Sequence, residues 1–231
     1  SVAITYTNND YGKGLADVYS AEVKSRGITV TAVESHEDGK ADYSSEVATL
    51  ASAGGDAIAV IGYLDQGGKG IIQGALDSGA FDTFILSDGM IGDSLTDAFG
   101  KSLNKSFGSL PGSTGKGAGV FATVAGDAGI DPSGPYTGES YDAAALIVLA
   151  MQASGSADRK GIADNVMAVA NGPGKKIYPG QLKKALDLLA KGKAVDYEGA
   201  TGVMFTEVGE AEGSFLEKEV KGGKFKTKKQ R

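Results

Sequence analysis

Along the first part of the chain, short β-branched or apolar runs alternate with longer stretches whose apolar positions recur at helical spacing. SVAITYT (Ser1 to Thr7) is a continuous β-prone run closed by Asn8, Asn9 and Asp10, the pattern of a strand buried on both faces that opens into a turn. From Tyr11, the residues Leu15, Val18, Tyr19 and Val23 predict a helix that stops at Arg26-Gly27. ITVTAVES (Ile28 to Ser35) reads as the next strand. Tyr43, Val47 and Leu50, with Ser44 and Ser45 near the start, predict a helix closed by Gly54-Gly55, and DAIAVIGY a further strand. Ile71, Ile72, Ala75 and Leu76 then mark a helix, DTFILSD (Asp82 to Asp88) a strand, and Ser94 to Phe99 a short helix before KSFGSLPG. Such alternation implies a parallel sheet covered by helices, because parallel neighbours require crossovers and these are right-handed.

After Pro111 the texture changes to GSTGKGAG, small polar residues and glycines that read as a connector or hinge. Beyond it, Thr137 to Ala153, Gly161 to Ala170 and Pro179 to Ala190 predict helices, the last with proline where a first turn tolerates it. Two strand-like runs follow, Thr201 to Phe205 and Ser214 to Val220, separated by a turn-rich acidic segment. A helix as apolar as Thr137 to Ala153 normally covers a sheet face, and this half offers little sheet for it. The pattern therefore predicts a partial chain, lacking an N-terminal portion that would supply the second sheet.

Composition removes several kinds of chemistry. The 231 residues contain no Cys, no Trp and one His, with 29 acidic and 23 basic side chains and a formal net charge of −6. No thiolate zinc site, disulfide or cysteine nucleophile can be built, and one imidazole cannot make a His cage. Acidity argues against nucleic acid, since the basic excess is confined to the short tail KFKTKKQR. No run approaches the roughly 18 apolar residues of a membrane span. His36, among the charges of ESHEDGK, reads as a surface residue without a role, and Ser44, Ser45 and Ser87 lack a His partner for a triad. GGKG (Gly67 to Gly70) has neither phosphate-loop spacing and reads as a glycine-rich turn, while Glu207, Glu210 and Glu212 read as a solvated loop. No metal, cofactor or enzyme constellation emerges.

In a doubly wound sheet the ligand site lies outside the carboxyl ends of the strands. The residues placed there are Asn9 to Gly12 after the first strand, Tyr63 to Gln66 after the third, and Ser87 to Gly89 after the fourth. Two tyrosines with a carboxylate suit a small ligand bearing a cationic group. Taken singly, Tyr11 also reads as a helix-start staple and Asp88 as a turn or cap residue.

VAITYTNNDYGKGLA, ADYSSEVATL, DAIAVIGYLDQGG, FILSDG and DPSGPYTGESYDAA together resemble the amino-acid-binding proteins of ABC importers, of the leucine/isoleucine/valine-binding type. The resemblance spans nearly the whole chain and implies a two-lobed α/β fold, the type I periplasmic binding protein fold with parallel doubly wound sheets, the first part of the N-lobe being absent. It implies a C-lobe at 1–111, the remainder of the N-lobe at 112–208, and a return to the C-lobe with a basic tail at 209–231. It further implies ligand contacts from Tyr11 and Tyr63, an α-ammonium bond from Asp88, and an aromatic, Tyr136, closing over the ligand side chain. Where Asp88 stands the family often has Glu, about a methylene longer. The implied protein is a non-enzymatic receptor in the periplasm or tethered at the cell surface, peripheral to the membrane, which closes on an amino acid and delivers it to permease subunits. A sensory or regulatory domain of the same fold is the alternative, and a nucleotide-dependent enzyme is a third reading disfavoured by the missing phosphate loop.

Overall fold

In the computed structural model, which describes residues 1–231, the opening apolar run is strand β1 (Val2–Thr7). The chain continues as α1 (Asp10–Ser25), β2 (Val30–His36), α2 (Ser44–Ala53), β3 (Ala57–Ile61), α3 (Lys69–Asp77), β4 (Phe84–Leu86), α4 (Asp93–Phe99) and β5 (Phe107–Pro111). Then come α5 (Lys116–Asp127), α6 (Thr137–Ser154), α7 (Arg159–Ala170), β6 (Lys175–Ile177), α8 (Leu182–Leu189), β7 (Val195–Tyr197), β8 (Met204–Phe205), β9 (Ala211–Glu212), β10 (Phe215–Lys221) and β11 (Lys224–Gln230). They fall into two compact units, Ser1–Leu110 with Glu217–Lys229, and Pro111–Leu216 with Gln230–Arg231.

The first unit is organised by a seven-stranded sheet in the order β11-β10-β5-β4-β3-β1-β2. β1 is parallel to both β2 and β3, β3 to β4, and β4 to β5, each step being made by a helical crossover. Helix α1 starts where the Asn9 side chain accepts the Gly12 N–H at 2.9 Å. Its buried face is Gly12, Ala16, Ser20 and Val23, whereas Leu15 and Val18, which the periodicity counts as core, are exposed. The physical reason is close approach: a Cβ on Gly12 would come within 2.0 Å of the Thr7 carbonyl oxygen. The helix therefore rests on β1 through its smallest residues, and the larger apolar side chains are turned away.

His36 is also corrected. It is the last residue of β2, 1% exposed, with Nδ1 2.9 Å from the Thr5 hydroxyl. Strand alternation turns it inward while its charged neighbours face out, and the sequence reading ends that strand one residue too early. Nε2 has no hydrogen-bond partner and faces Gly62, on which a Cβ would lie 3.1 Å away. Burial pulls the imidazole pKa below its ordinary value, against the opposing pull of Asp38, Glu46 and Glu37. The unfolded chain thus binds the proton more readily, so this contribution is complete above the unfolded value near 6.5 and is lost as pH falls through the lowered folded value. We expect stability of the first unit to drop by up to about 1.4 kcal/mol per pH unit below ~6.5. His36→Leu should flatten that slope, as measured by urea unfolding between about pH 7 and 5.

The second unit departs furthest from the sequence reading. The stretch read as connector, GSTGKGAG, enters helix α5 at Lys116, because Gly117, Phe121 and Ala125 at four-residue spacing face inward and Phe121 packs with Ala200 and Tyr141. Helices α6, α7 and α8 lie where three helices are predicted, although α8 begins at Leu182 and leaves Pro179 ahead of it. They pack with a parallel pair, β6 and β7, through Leu146, Leu149, Val169, Ile177, Val195 and Tyr197. Strands of three residues are too short to display alternation, and both are missed in the sequence. Helix α6 leaves Ile147 and Val148 exposed.

Of the two late strand-like runs, the first shortens to β8, paired with β9, and the second becomes β10. The basic tail is no tail. It is strand β11, joined to β10 by Gly222-Gly223, both at positive φ, the backbone that a two-residue hairpin turn requires. No helix is long and apolar enough to cross a membrane.

Candidate functional site

The carboxyl ends of β1, β3 and β4 bring together Tyr11, Tyr63 and Asp88 in the first unit. Tyr11 enters from the first turn of α1, held there by the Asn9 cap, and its ring packs on the core formed by Val2, Ile4, Ala16 and Ile61. Its hydroxyl donates to Asp88 Oδ1 at 2.6 Å. It also lies 3.1 Å from the Ser87 hydroxyl, which accepts the Gly62 N–H at 3.3 Å. The Tyr11 and Tyr63 rings stack with centroids 5.2 Å apart at 27°. All three residues are half-buried, poised between core and solvent.

Electrostatics sharpen this arrangement. Burial, then the hydrogen bond to Asp88, drives the Tyr11 phenol far above its ordinary pKa, so it remains a proton donor to the carboxylate at every working pH. Asp88 opens a short 3-10 turn, Asp88–Met90, directly after β4. That turn lies against the end of β3, where a Cβ on Gly89 would come within 2.4 Å of the Gly62 carbonyl oxygen. The rim is thus set by main chain pressed against main chain, with Ser87 bonding across it. Ser87 stands at the strand end where the sequence places it, but its bonds to Tyr11 and to the Gly62 N–H are not legible there, since a serine beside a turn carries no pattern of its own.

GGKG is partly a turn: Leu64–Gly68 forms a single wide turn that runs into α3. Its glycines are there for space, since a Cβ on Gly68 would overlap Met90 Sδ at 2.1 Å. No group of three or more His, Asp or Glu side chains is arranged to hold a metal ion.

Tyr136 belongs to the second unit, at the start of α6, and is about 38% exposed. It is the one non-glycine residue with positive φ, at φ 60° and ψ 12°. A bulky side chain in the left-handed region costs about 1–2 kcal/mol, and such strain concentrates at functional positions. Downstream in α6, Asp142 is buried and its carboxylate accepts the Tyr197 hydroxyl at 2.9 Å, the Ala200 and Thr201 N–H groups at 2.8 Å each, and the Thr201 hydroxyl at 2.8 Å. The sequence signal for this clamp is an acid standing directly before the unbroken apolar run Ala143 to Met151.

This mostly parallel α/β sheet, with β10 and β11 antiparallel at one edge, has the fold of type I periplasmic binding proteins, which the comparisons bear out. No family model matches the chain. The branched-chain amino acid transporter substrate-binding protein LivJ from Streptococcus pneumoniae, solved in complex with isoleucine, superposes with a TM-score of 0.71 at 19% identity, over 99% of this chain and 59% of that one. Leu/Ile/Val-binding protein homolog 2 of Brucella abortus is 30% identical over 160 residues, 68% of this chain and 42% of that protein. A chemotactic signal transduction system substrate-binding protein, BasB, of Halobacterium salinarum is 41% identical over 71 residues, 31% of this chain and 17% of that protein. The chain belongs to the Leu/Ile/Val-binding protein family, and spans less than half the length of these curated relatives.

Proposed function

We propose that this protein is an extracytoplasmic solute receptor of an ABC transporter that binds a small amino acid, branched-chain or related, and delivers it to a membrane permease. The observation that carries the reading is the Tyr11, Tyr63 and Asp88 rim, with the Asp88 carboxylate fixed by the Tyr11 hydroxyl at 2.6 Å. A ligand α-ammonium is the natural partner for that acid, through a charge-assisted hydrogen bond. The stacked tyrosine rings supply an apolar wall for an aliphatic side chain. Asp88 is about a methylene shorter than the Glu that the family often carries, which leaves room for a larger ligand or for a bridging water.

In this reading the first unit is the C-lobe and the second the remainder of the N-lobe. Tyr136 closes over the ligand side chain, and hinge closure of the lobes distinguishes bound from open receptor. The protein works in the periplasm or tethered at the cell surface and carries out no covalent chemistry.

A thermal-shift screen of the full-length gene product against amino acids, aliphatic amides and adenine nucleotides tests this. At 1,000 times its dissociation constant a ligand adds about 4 kcal/mol, a rise of roughly 10 °C for a protein of this size. We expect that rise with aliphatic amino acids alone. A flat response to every amino acid would remove the proposal, and a rise with nucleotides would replace it.

The match to BasB supports a second reading, a ligand-binding domain that reports to a signalling partner. Disruption of the gene separates the two: loss of labelled amino-acid uptake marks a transporter component, and loss of the behavioural response with uptake intact marks a sensor.

A further inference from the structure

Strand β11 ends the seven-stranded sheet, so one of its edges has no strand beside it. The hairpin from Phe215 to Arg231 holds seven of the chain's 23 basic side chains and two of its 29 acidic ones, in a protein whose net charge is −6. Part of that charge is engaged within the unit. Lys224 Nζ lies 2.7 Å from Asp97, Lys228 Nζ 3.2 Å from Glu217, and Lys218 Nζ donates to the Thr227 hydroxyl at 2.8 Å. Lys221, Lys226 and Lys229 are exposed and take part in no ion pair. Strand alternation sets Lys224, Lys226 and Lys228 on one face of β11 and Phe225, Thr227 and Lys229 on the other.

We propose that β11 is a docking edge for an extended acidic segment of another polypeptide, which adds to the sheet as a further strand. Pairing along an open edge satisfies backbone N–H and C=O groups, and side chains flanking the edge select the partner. Three features choose this occupant. Positive charge on both faces fits a strand lying along the edge, which meets both, whereas an anionic bilayer would meet one. A second copy of β11 would set lysines against lysines, which is destabilising. The strand is seven residues long, an edge of about 23 Å at ~3.3 Å per residue, which a peptide segment of similar length fills.

The test is fluorescence anisotropy of the full-length gene product with a labelled peptide of about nine residues in which Glu alternates with Val or Thr, at low salt. Saturable binding at micromolar concentration is expected, weakened about tenfold or more in Lys226→Glu/Lys229→Glu, a surface change that leaves the Lys224 and Lys228 pairs in place. Unchanged circular dichroism of that variant excludes misfolding as the cause. The same peptide N-methylated at successive amides keeps its charge but cannot pair, and should bind about tenfold weaker or worse. Equal binding of the methylated peptide would reduce the edge to a charged surface and overturn the proposal. So would the absence of binding at about 1 mM, which leaves the lysines as guards against self-pairing. Sedimentation with phosphatidylglycerol vesicles in place of peptide binding would assign the hairpin to a membrane instead.

Discussion

Asp88→Ala abolishes high-affinity amino-acid binding, with an expected loss of about 3 kcal/mol or more, roughly 150-fold in dissociation constant. The size follows from the environment. A half-buried carboxylate facing a ligand ammonium makes a charge-assisted bond, and its removal leaves the ammonium desolvated without a counter-charge. Calorimetric titration of the full-length gene product with isoleucine or leucine gives the number directly. Two companions separate the causes. Tyr11→Phe keeps the ring and the Tyr63 stack but deletes the donor to Asp88, and should cost about 1 kcal/mol. Asp88→Glu restores the length common in the family, and so should shift preference toward smaller ligands while retaining affinity of the same order. Undiminished binding by Asp88→Ala would sink the assigned role of that residue.

Asp142→Ala is the largest expected loss of stability. The carboxylate collects hydrogen bonds from Tyr197, Ala200 and Thr201, and Gly199 above it, at φ 59°, would place a Cβ within 2.3 Å of Oδ1. Its truncation strands several donors at once, each costing about 1–3 kcal/mol when buried, so a net loss of ~4 kcal/mol is expected after relaxation. Hydrogen exchange reads this best, because two units need not melt together. The Ala200 and Thr201 amides should lose protection in Asp142→Ala, while amides of β1 and β3 keep theirs. Asp142→Asn, which preserves volume but presents an amide N–H₂ group to N–H donors, should fall between. Wild-type protection at Ala200 and Thr201 in the alanine variant would refute the clamp.

The first unit is largely legible because its signals are local and repeated: a buried strand, a polar turn, a helix with a cap, each within a few residues. What fails there is the identity of faces. Helical spacing ranks Leu15 and Val18 as core because they are large, while the packing selects Gly12, Ala16 and Ser20 because the helix sits too close to β1 for anything bigger. His36 is hidden by its charged neighbours, since composition within a window averages over an alternation that the strand resolves. In the second unit the information is less local. Phe121 and Ala125 become a core face only against Ala200, which is remote in sequence, and β6 and β7 exist only as a pair. The rim residues Tyr11, Tyr63 and Asp88 could be placed from strand ends alone, but the bonding of Ser87 to both neighbours requires the folded main chain.

The contacts of Gly12 with the Thr7 carbonyl and of Gly89 with the Gly62 carbonyl have an evolutionary corollary. Spacing at the rim is gauged by peptide units, which are the same whatever the side chains, so the interior can be redrawn residue by residue without moving Tyr11, Tyr63 and Asp88. A lineage built this way can drift far in sequence and keep its architecture, as the 0.71 TM-score at 19% identity illustrates. Under the proposed function, the same gauge would make ligand preference a matter of single substitutions at the rim, so that specificity and scaffold diverge on separate clocks.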